Sequence, residues 1–427
     1  MLIFKKLRHI LSGQFIRNFG WMGGAELANR VFRLGTTVVL ARLLTPQDYG
    51  LVAIVLTTNE FSNVFTLRSG IGSKIIQADE KELSVISNTA YWLNWILCGS
   101  LFTIQCLAAF PIALFYHNTQ LILPICVTAI VYLMLPFFLV QGALIQRENR
   151  LNIFALCNVT QSLIGNILTI ALAIMGLGMW AIVLPIVLST PVWVVICRRS
   201  HTWRAPKSIS FAHWQKIARF GTNILGVELL TKLRSNIDYL IIGHFLGVDA
   251  LGIYYFAFNA GLGISMNVLG AFTSALYPHL CEVRGDLKQL KQRFFSSLKT
   301  TMAVMFPLIL AQSSLAPIYV PIIFGQKWVS AIPILTIICL SALSYPLYSS
   351  TNSLLTAVNK THVTLRFSLI YTMIFALAIL VAVKWGILWV AASVLTCQLL
   401  LPPAYSISAI RYVFAKHSSF SLAEEKP

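Results

Sequence analysis

The sequence predicts an all-α, polytopic membrane protein, and three observations support this fold class. Of the 427 residues, 57% are hydrophobic and only 11% are charged, unlike the composition of soluble globular domains. Apolar segments of about twenty residues recur along the whole chain, and a helix of that length crosses roughly 30 Å of hydrocarbon. Lysine and arginine concentrate in the segments between them. A β-barrel would instead show short alternating segments, and this sequence has none.

The apolar segments predict twelve transmembrane helices in chain order. These spans are residues 20–43, 49–73, 89–115, 120–145, 153–175, 179–197, 220–246, 250–278, 300–322, 330–356, 364–383 and 386–409. Residues 1–19 have the pattern of a short interfacial helix ahead of the first span. We expect this segment to be retained, because it has no small-residue cleavage site of a secretory signal.

Positive charge is unequally divided between the two sides of the predicted membrane. Of the 32 lysines and arginines, 24 fall on the side of the two termini, three on the other side and five within spans, if Arg42 and Arg366 at span ends are counted with the adjoining loops. Because cytoplasmic loops are enriched in lysine and arginine, both termini are predicted to be cytoplasmic. The same distribution explains the net charge of +18 without a nucleic-acid partner. The basic loop 198–219 is either a topology anchor or a contact for anionic membrane lipids.

The chain repeats an internal unit after 202 residues. The segment 24–30 (GAELANR) is echoed by 226–232 (GVELLTK), and each places a carboxylate four residues before a cation. Six spans in each copy make both halves enter the membrane in the same direction, with a substrate path expected at their interface. The predicted domains are an N-terminal lobe (20–197), a cytoplasmic basic linker (198–219), a C-terminal lobe (220–409) and a cytoplasmic tail (410–427).

Nine ionisable Asp, Glu, Lys and Arg residues lie well inside the predicted spans, away from the span ends. They are Glu26, Arg30, Arg33, Glu60, Arg68, Glu228, Lys232, Arg234 and Asp238. A charge near the membrane midplane costs about 3 kcal/mol on insertion scales, so these side chains are expected to avoid lipid. Three couples spaced four residues apart can partly neutralise one another: Glu26–Arg30, Glu228–Lys232 and Arg234–Asp238. They either line a hydrated cavity for an anionic or amphiphilic substrate or only hold the halves together.

The sequence contains no catalytic or metal-binding motif. It has no GxGxxG, P-loop or HExxH pattern, and none of the eight cysteines is arranged as CxxC. We therefore expect neither an enzyme nor a bound metal or organic cofactor.

Two segments resemble a known family. Residues 41–50 (ARLLTPQDYG) and 236–243 (NIDYLIIG) are similar to polysaccharide transporters of the multidrug/oligosaccharidyl-lipid/polysaccharide (MOP) exporter superfamily. The resemblance implies a MATE/MOP-like fold of two six-helix repeats. It also implies a Wzx-type flippase, which moves undecaprenyl-pyrophosphate-linked oligosaccharides across the bacterial inner membrane by alternating access. In that family, charges in spans 1, 2, 7 and 8 line the cavity, and seven residues match by position: Glu26, Arg30, Arg33, Arg68, Lys232, Arg234 and Asp238.

The resemblance also suggests partners and alternatives. The expected partners are the lipid-linked oligosaccharide, membrane lipids, and a polysaccharide polymerase with its chain-length machinery. A gradient of H⁺ or Na⁺ is the expected energy source. A cation-coupled drug exporter of the same fold is one alternative, although an acidic, aromatic cavity would suit it better. A membrane polysaccharide polymerase or ligase is another, although it would need a sizeable outer loop.

Overall fold

The computed structural model describes residues 32–205 and 214–416, and every regular element in these ranges is a helix. The predicted interfacial helix at 1–19 and the end of the predicted tail lie outside the described residues. The chain divides into two compact units, with the boundary in sequence between Leu233 and Arg234. This boundary falls inside a long helix, whereas the sequence places a linker at 198–219.

The first unit is built from nine helices among its described residues and the beginning of a tenth. They are α1 (32–43), α2 (Pro46–Val64), α3 (Arg68–Gln77), α4 (Glu80–Phe115), α5 (Ile122–Met134), α6 (Leu139–Arg147), α7 (Leu151–Ile174), α8 (Trp180–Ser189), α9 (Pro191–Ser200) and α10 (Trp214–Phe245). Short 3₁₀ turns at Thr119–Leu121 and Leu135–Phe137 flank α5.

The second unit contains the rest of α10 and six further helices among the described residues. They are α11 (Gly247–Cys281), α12 (Leu287–Ser314), α13 (Ile332–Ser341), α14 (Tyr345–Ala357), α15 (Thr361–Ala382) and α16 (Ile387–Lys416). Short helical turns connect them at Ala316–Tyr319, Val320–Phe324, Gln326–Ala331, Ala342–Ser344 and Val383–Trp385.

Eight continuous helical segments of the described chain are long and apolar enough to cross a membrane. They are Glu80–Phe115, Thr119–Phe137, Leu151–Ile174, Trp180–Ser200, Leu287–Ser314, Gln326–Ala357, Thr361–Trp385 and Ile387–Phe414. The halves of α11, Gly247–Gly263 and Ser265–Cys281, make a ninth with a bend of 48° between them. The three remaining predicted spans, 20–43, 49–73 and 220–246, are those that carry the nine ionisable residues. These charges lower the mean hydropathy of the segments, and residues 20–31 of the first one lie outside the described residues.

The predicted span 49–73 is not one helix, which corrects the sequence-based prediction. It is broken between α2 and α3, where Leu67 adopts a left-handed conformation with φ of 50°. The Thr66 hydroxyl donates to the Asn63 carbonyl at 2.7 Å and accepts from the Arg68 N–H at 3.3 Å. Such local side-chain bonds compete with the helical backbone ladder and end it. Irregular backbone at membrane depth is tolerated where it lies in protein or lines a cavity.

The LTPQDYG segment caps helix α2 and joins it by a hydrogen bond to another part of the first unit. Thr45 and Asp48 form a capping box at the start of α2, each side chain bonding the backbone N–H of the other. The second oxygen of Asp48 accepts a hydrogen bond from the Met179 N–H at 3.0 Å, which ties the start of α2 to the turn before α8. These motif residues are therefore structural.

The hydrogen bond between Asp48 and the Met179 N–H predicts that substitution of the adjacent Gly178 lowers the free energy of unfolding unusually strongly. Gly178 has φ of 53°, and a Cβ atom built on it would lie 2.6 Å from Asp48 Oδ1. We expect Gly178→Ala to destabilise the protein by about 3 kcal/mol, through backbone strain and loss of the hydrogen bond between Asp48 and the Met179 N–H. Gly176 is a matched control, because its φ is 76° but its Cβ would meet nothing within 4 Å. Gly176→Ala should cost only about 1 kcal/mol. Thermal unfolding of the two purified variants measures the difference. Equal losses of stability would show that the Asp48 contact at Gly178 adds nothing to the backbone strain.

Candidate functional site

The described structure places seven of the nine predicted site residues. Glu26 and Arg30 lie outside the described residues, and so does their predicted pairing. Arg33 is exposed on α1. The other six are divided between the units as Glu60, Arg68, Glu228 and Lys232 in the first, and Arg234 and Asp238 in the second.

Lys232 pairs with a carboxylate from another helix. Its ammonium lies 3.0 Å from Glu60 Oε2, with about half of each side chain exposed. The pairing of Lys232 with Glu228 on the same helix, which the sequence spacing suggests, stays a prediction. Glu228 itself is half-buried.

Arg68 lies at the start of α3 beside the break in the second span. Its guanidinium carbon is 5.6 Å from the ring centroids of both Phe138 and Trp193, a cation–π arrangement. Trp193 is held in place because its Nε1 donates to Gln161 Oε1 at 2.6 Å. Within the described part of the chain, the guanidinium makes no hydrogen bond or ion pair. Its N–H groups are therefore available to a ligand.

A cavity of about 320 Å³ opens at this guanidinium. Its wall combines Arg68, the rings of Phe138 and Trp193, and the side chain of Gln146 with small residues of α3 and α6. A guanidinium presents its donors as a planar fork that fits the oxygens of a phosphate or carboxylate. The arrangement can therefore bind an anionic group in the first unit.

In the second unit, Arg234 and Asp238 do not pair with each other, so the predicted Arg234–Asp238 pair was wrong. Arg234 Nη1 donates to Tyr348 Oη at 2.8 Å and to Ser368 Oγ at 3.3 Å. Asp238 is buried and accepts hydrogen bonds from Tyr254 Oη at 2.9 Å and from the Tyr239 N–H at 3.0 Å. Neutral donors and acceptors on neighbouring helices thus satisfy each charge separately.

Both residues line a cavity of about 910 Å³ enclosed by α10, α11, α14, α15 and α16. Sequence analysis missed the aromatic and polar side chains that make up most of its wall. They include Tyr345, Tyr348, Asn352, Phe367, Tyr371, Phe375 and Gln398. A signal was present, because the rings recur three or four residues apart on α14 and α15, which places them on one face of each helix.

The model of a family described as polysaccharide biosynthesis proteins matches residues 39–333. The chain belongs to this family. The membership confirms the resemblance based on the ARLLTPQDYG and NIDYLIIG segments, both of which lie within the matched range.

Relatives of the chain include two bacterial proteins. The chain is 26% identical to the lipopolysaccharide biosynthesis protein WzxC of Escherichia coli (strain K12), covering 80% of this chain and 70% of WzxC. It is 24% identical to an uncharacterized membrane protein in the cps region of Klebsiella pneumoniae, covering 90% of this chain and 79% of that protein.

Solved structures establish the fold of this family member. An inward-facing MATE-family multidrug transporter of the MOP superfamily superposes with a TM-score of 0.73 at 13% identity, covering 91% of this chain and 95% of that one. The lipid II flippase MurJ in an inward closed conformation gives 0.72 at 14% identity, covering 94% and 90%. The predicted all-α, MATE/MOP-like fold is confirmed.

Proposed function

We propose that this protein is an inner-membrane flippase for undecaprenyl-pyrophosphate-linked oligosaccharide units, acting by alternating access in the assembly of O-antigen, capsule or exopolysaccharide. The observation that carries the proposal is the guanidinium of Arg68, exposed to a cavity at a break in a transmembrane helix and bonded to no described residue. The names of WzxC and of the succinoglycan biosynthesis transport protein ExoT of Rhizobium meliloti support the substrate class.

The chemistry of such a substrate requires donors at membrane depth. A pyrophosphate cannot cross hydrocarbon bare, because an isolated charge loses its hydration there. Arg68 and Lys232 supply cations in the first unit, and Glu26, Arg30, Arg33, Glu60 and Glu228 complete the charge set that we propose for this lobe. Arg234 and Asp238 are the proposed contribution of the second lobe. The lipid tail stays in the bilayer.

The proposal includes a topology and an energy source. Both termini are cytoplasmic, as the excess of lysine and arginine on their side indicates. The lobes at 20–197 and 220–409 alternate access to the two sides, coupled to a gradient of H⁺ or Na⁺. The partners are a polysaccharide polymerase and its chain-length machinery. The exposed guanidinium favours an anionic substrate over the cationic drugs of an exporter with this fold, and we propose no enzymatic step.

Removing the Glu60–Lys232 pair tests the proposed function. The variant carries Glu60→Gln and Lys232→Gln, so both charges of this ion pair are removed together. An ion pair this exposed is worth about 0–1 kcal/mol, so the variant should fold. We expect surface polysaccharide to fall at least about tenfold, since one charge-assisted hydrogen bond is worth about 1.5–3 kcal/mol. Lipid-linked precursor should accumulate on the cytoplasmic side in a strain that depends on this gene.

The Arg293–Glu282 pair provides a matched control. These side chains form an exposed ion pair of 2.8 Å in the second unit, away from both cavities. Neutralising both with glutamine should leave surface polysaccharide at its normal level. Full polysaccharide in cells carrying the Glu60/Lys232 variant would make that pair purely structural. Normal precursor turnover in cells lacking the gene would reject the flippase function itself.

A further inference from the structure

The cavity of the second unit is lined by polar groups that make no hydrogen bond with the described part of the protein. The hydroxyl of Tyr371 is buried and has no hydrogen-bond partner in the described part of the chain. Among the described residues, Asn352 Nδ2 and Gln398 Oε1 also make no hydrogen bond. All three side chains line the cavity. A buried polar group without a partner costs about 1–3 kcal/mol, so the Tyr371 hydroxyl indicates a ligand that satisfies it. The half-buried side chains of Asn352 and Gln398 add two polar groups that the same ligand can reach.

The surrounding network holds these groups in fixed orientations. Asn352 Oδ1 accepts from Tyr405 Oη at 3.1 Å and from Thr364 Oγ1 at 3.4 Å, which leaves its amide nitrogen as the free end. Gln398 Nε2 donates to Tyr345 Oη at 3.2 Å, which leaves its oxygen free. The cavity therefore offers a donor, an acceptor and a hydroxyl that can act as either.

Aromatic rings line the same space. Phe367 stacks on Tyr405 with centroids 3.9 Å apart, and Tyr371 lies nearly parallel to Phe375 at 5.5 Å. Aromatic faces carry partial negative charge, so they attract the slightly positive C–H groups on the face of a sugar ring. Rings packed against one another in this way lose little freedom when a ligand binds.

The charges of the cavity select against ions. Arg234 donates hydrogen bonds to Tyr348 and Ser368. Asp238 accepts hydrogen bonds from Tyr254 and from the Tyr239 N–H. One cation and one anion, each satisfied by the protein, favour neither an anion nor an organic cation. The volume of about 910 Å³ is within the range of small-molecule sites.

We infer that this cavity binds neutral sugar rings, recognising their hydroxyl groups through Tyr371, Asn352 and Gln398 and their apolar faces through Phe367 and Tyr348. The inference rests on the proposed function, because it assigns the glycan part of the substrate to the second unit. The anionic part is assigned to Arg68 in the first unit. The two sites thus recognise chemically different parts of one molecule.

Saturation-transfer difference NMR on the full-length protein in lipid nanodiscs tests this inference. The probes are four free neutral disaccharides: maltose, cellobiose, lactose and chitobiose. We expect at least one to bind saturably at millimolar concentration. Tyr371→Phe keeps the ring and removes the hydroxyl, and it should weaken that binding about two- to tenfold. Tyr319→Phe is the matched control, because Tyr319 also has a buried hydroxyl without a partner but does not line the cavity.

Three outcomes would overturn the inference. They are no saturable binding of any of the four disaccharides, equal effects of the two tyrosine variants, and Tyr371-dependent binding of tetraphenylphosphonium in place of sugar. The last result would assign the cavity to organic cations. The NMR experiment uses unlinked sugars, so its failure leaves precursor accumulation in cells as a separate measure of the flippase function. Unchanged unfolding temperatures of both variants verify that their folds are intact.

Discussion

Replacing Arg68 by glutamine should lower transport of the lipid-linked oligosaccharide by about 10- to 100-fold. The reason is that a hydrogen bond to a charged group is worth about 1.5–3 kcal/mol, and glutamine removes both the charge and the planar fork. Arg68→Lys keeps the charge without the fork and should give an intermediate rate. The measurement is the rate at which surface polysaccharide appears after induction of each variant in a strain lacking the gene.

The Arg68 experiment needs a control for the loss of an arginine as such. Arg366 is exposed on α15, lines neither cavity and makes no hydrogen bond within the described chain. Arg366→Gln should transport at the normal rate. Loss of the cation–π contacts of Arg68 costs about 1 kcal/mol, so the glutamine variant should still reach the membrane in normal amount. Normal transport by that variant would remove Arg68 from the substrate path.

Replacing Trp328 by alanine should lower the free energy of unfolding by about 3–5 kcal/mol. Trp328 is fully buried in the turn Gln326–Ala331, and its ring stacks on Phe256 with centroids 3.8 Å apart. Phe256 in turn contacts the ring of Phe324 at 5.2 Å. Alanine would leave a cavity in this packed group, and the surrounding helices can close it only partly.

Thermal unfolding of purified protein in detergent measures the Trp328 effect. Trp389→Ala is the matched control, because that side chain is 60% exposed and leaves no internal cavity when removed. We expect a much lower unfolding temperature for Trp328→Ala and little change for Trp389→Ala. Equal unfolding temperatures for the two variants would show that the buried ring contributes no more than an exposed one.

The sequence by itself determined the fold class and the family. Segment length and hydropathy predict a membrane helix directly, since each helix satisfies its own backbone hydrogen bonds within one stretch of chain. The ARLLTPQDYG and NIDYLIIG segments were enough to identify the family that the comparisons then established. Composition and local motifs carry this information without knowledge of distant contacts.

Only the tertiary structure decided how the charges are used. Sequence spacing suggests a partner for Lys232 on its own helix, but it does not show that Glu60 of α2 lies 3.0 Å from the Lys232 ammonium. The break at Leu67, which brings Arg68 to a cavity, depends on side-chain bonds of Thr66 that hydropathy does not register. The cavity of about 910 Å³ is likewise formed by five helices, and its aromatic rings come from three of them, α11, α14 and α15. Helical periodicity tells which residues share a face, but the partner of that face is chosen by packing between segments far apart in sequence.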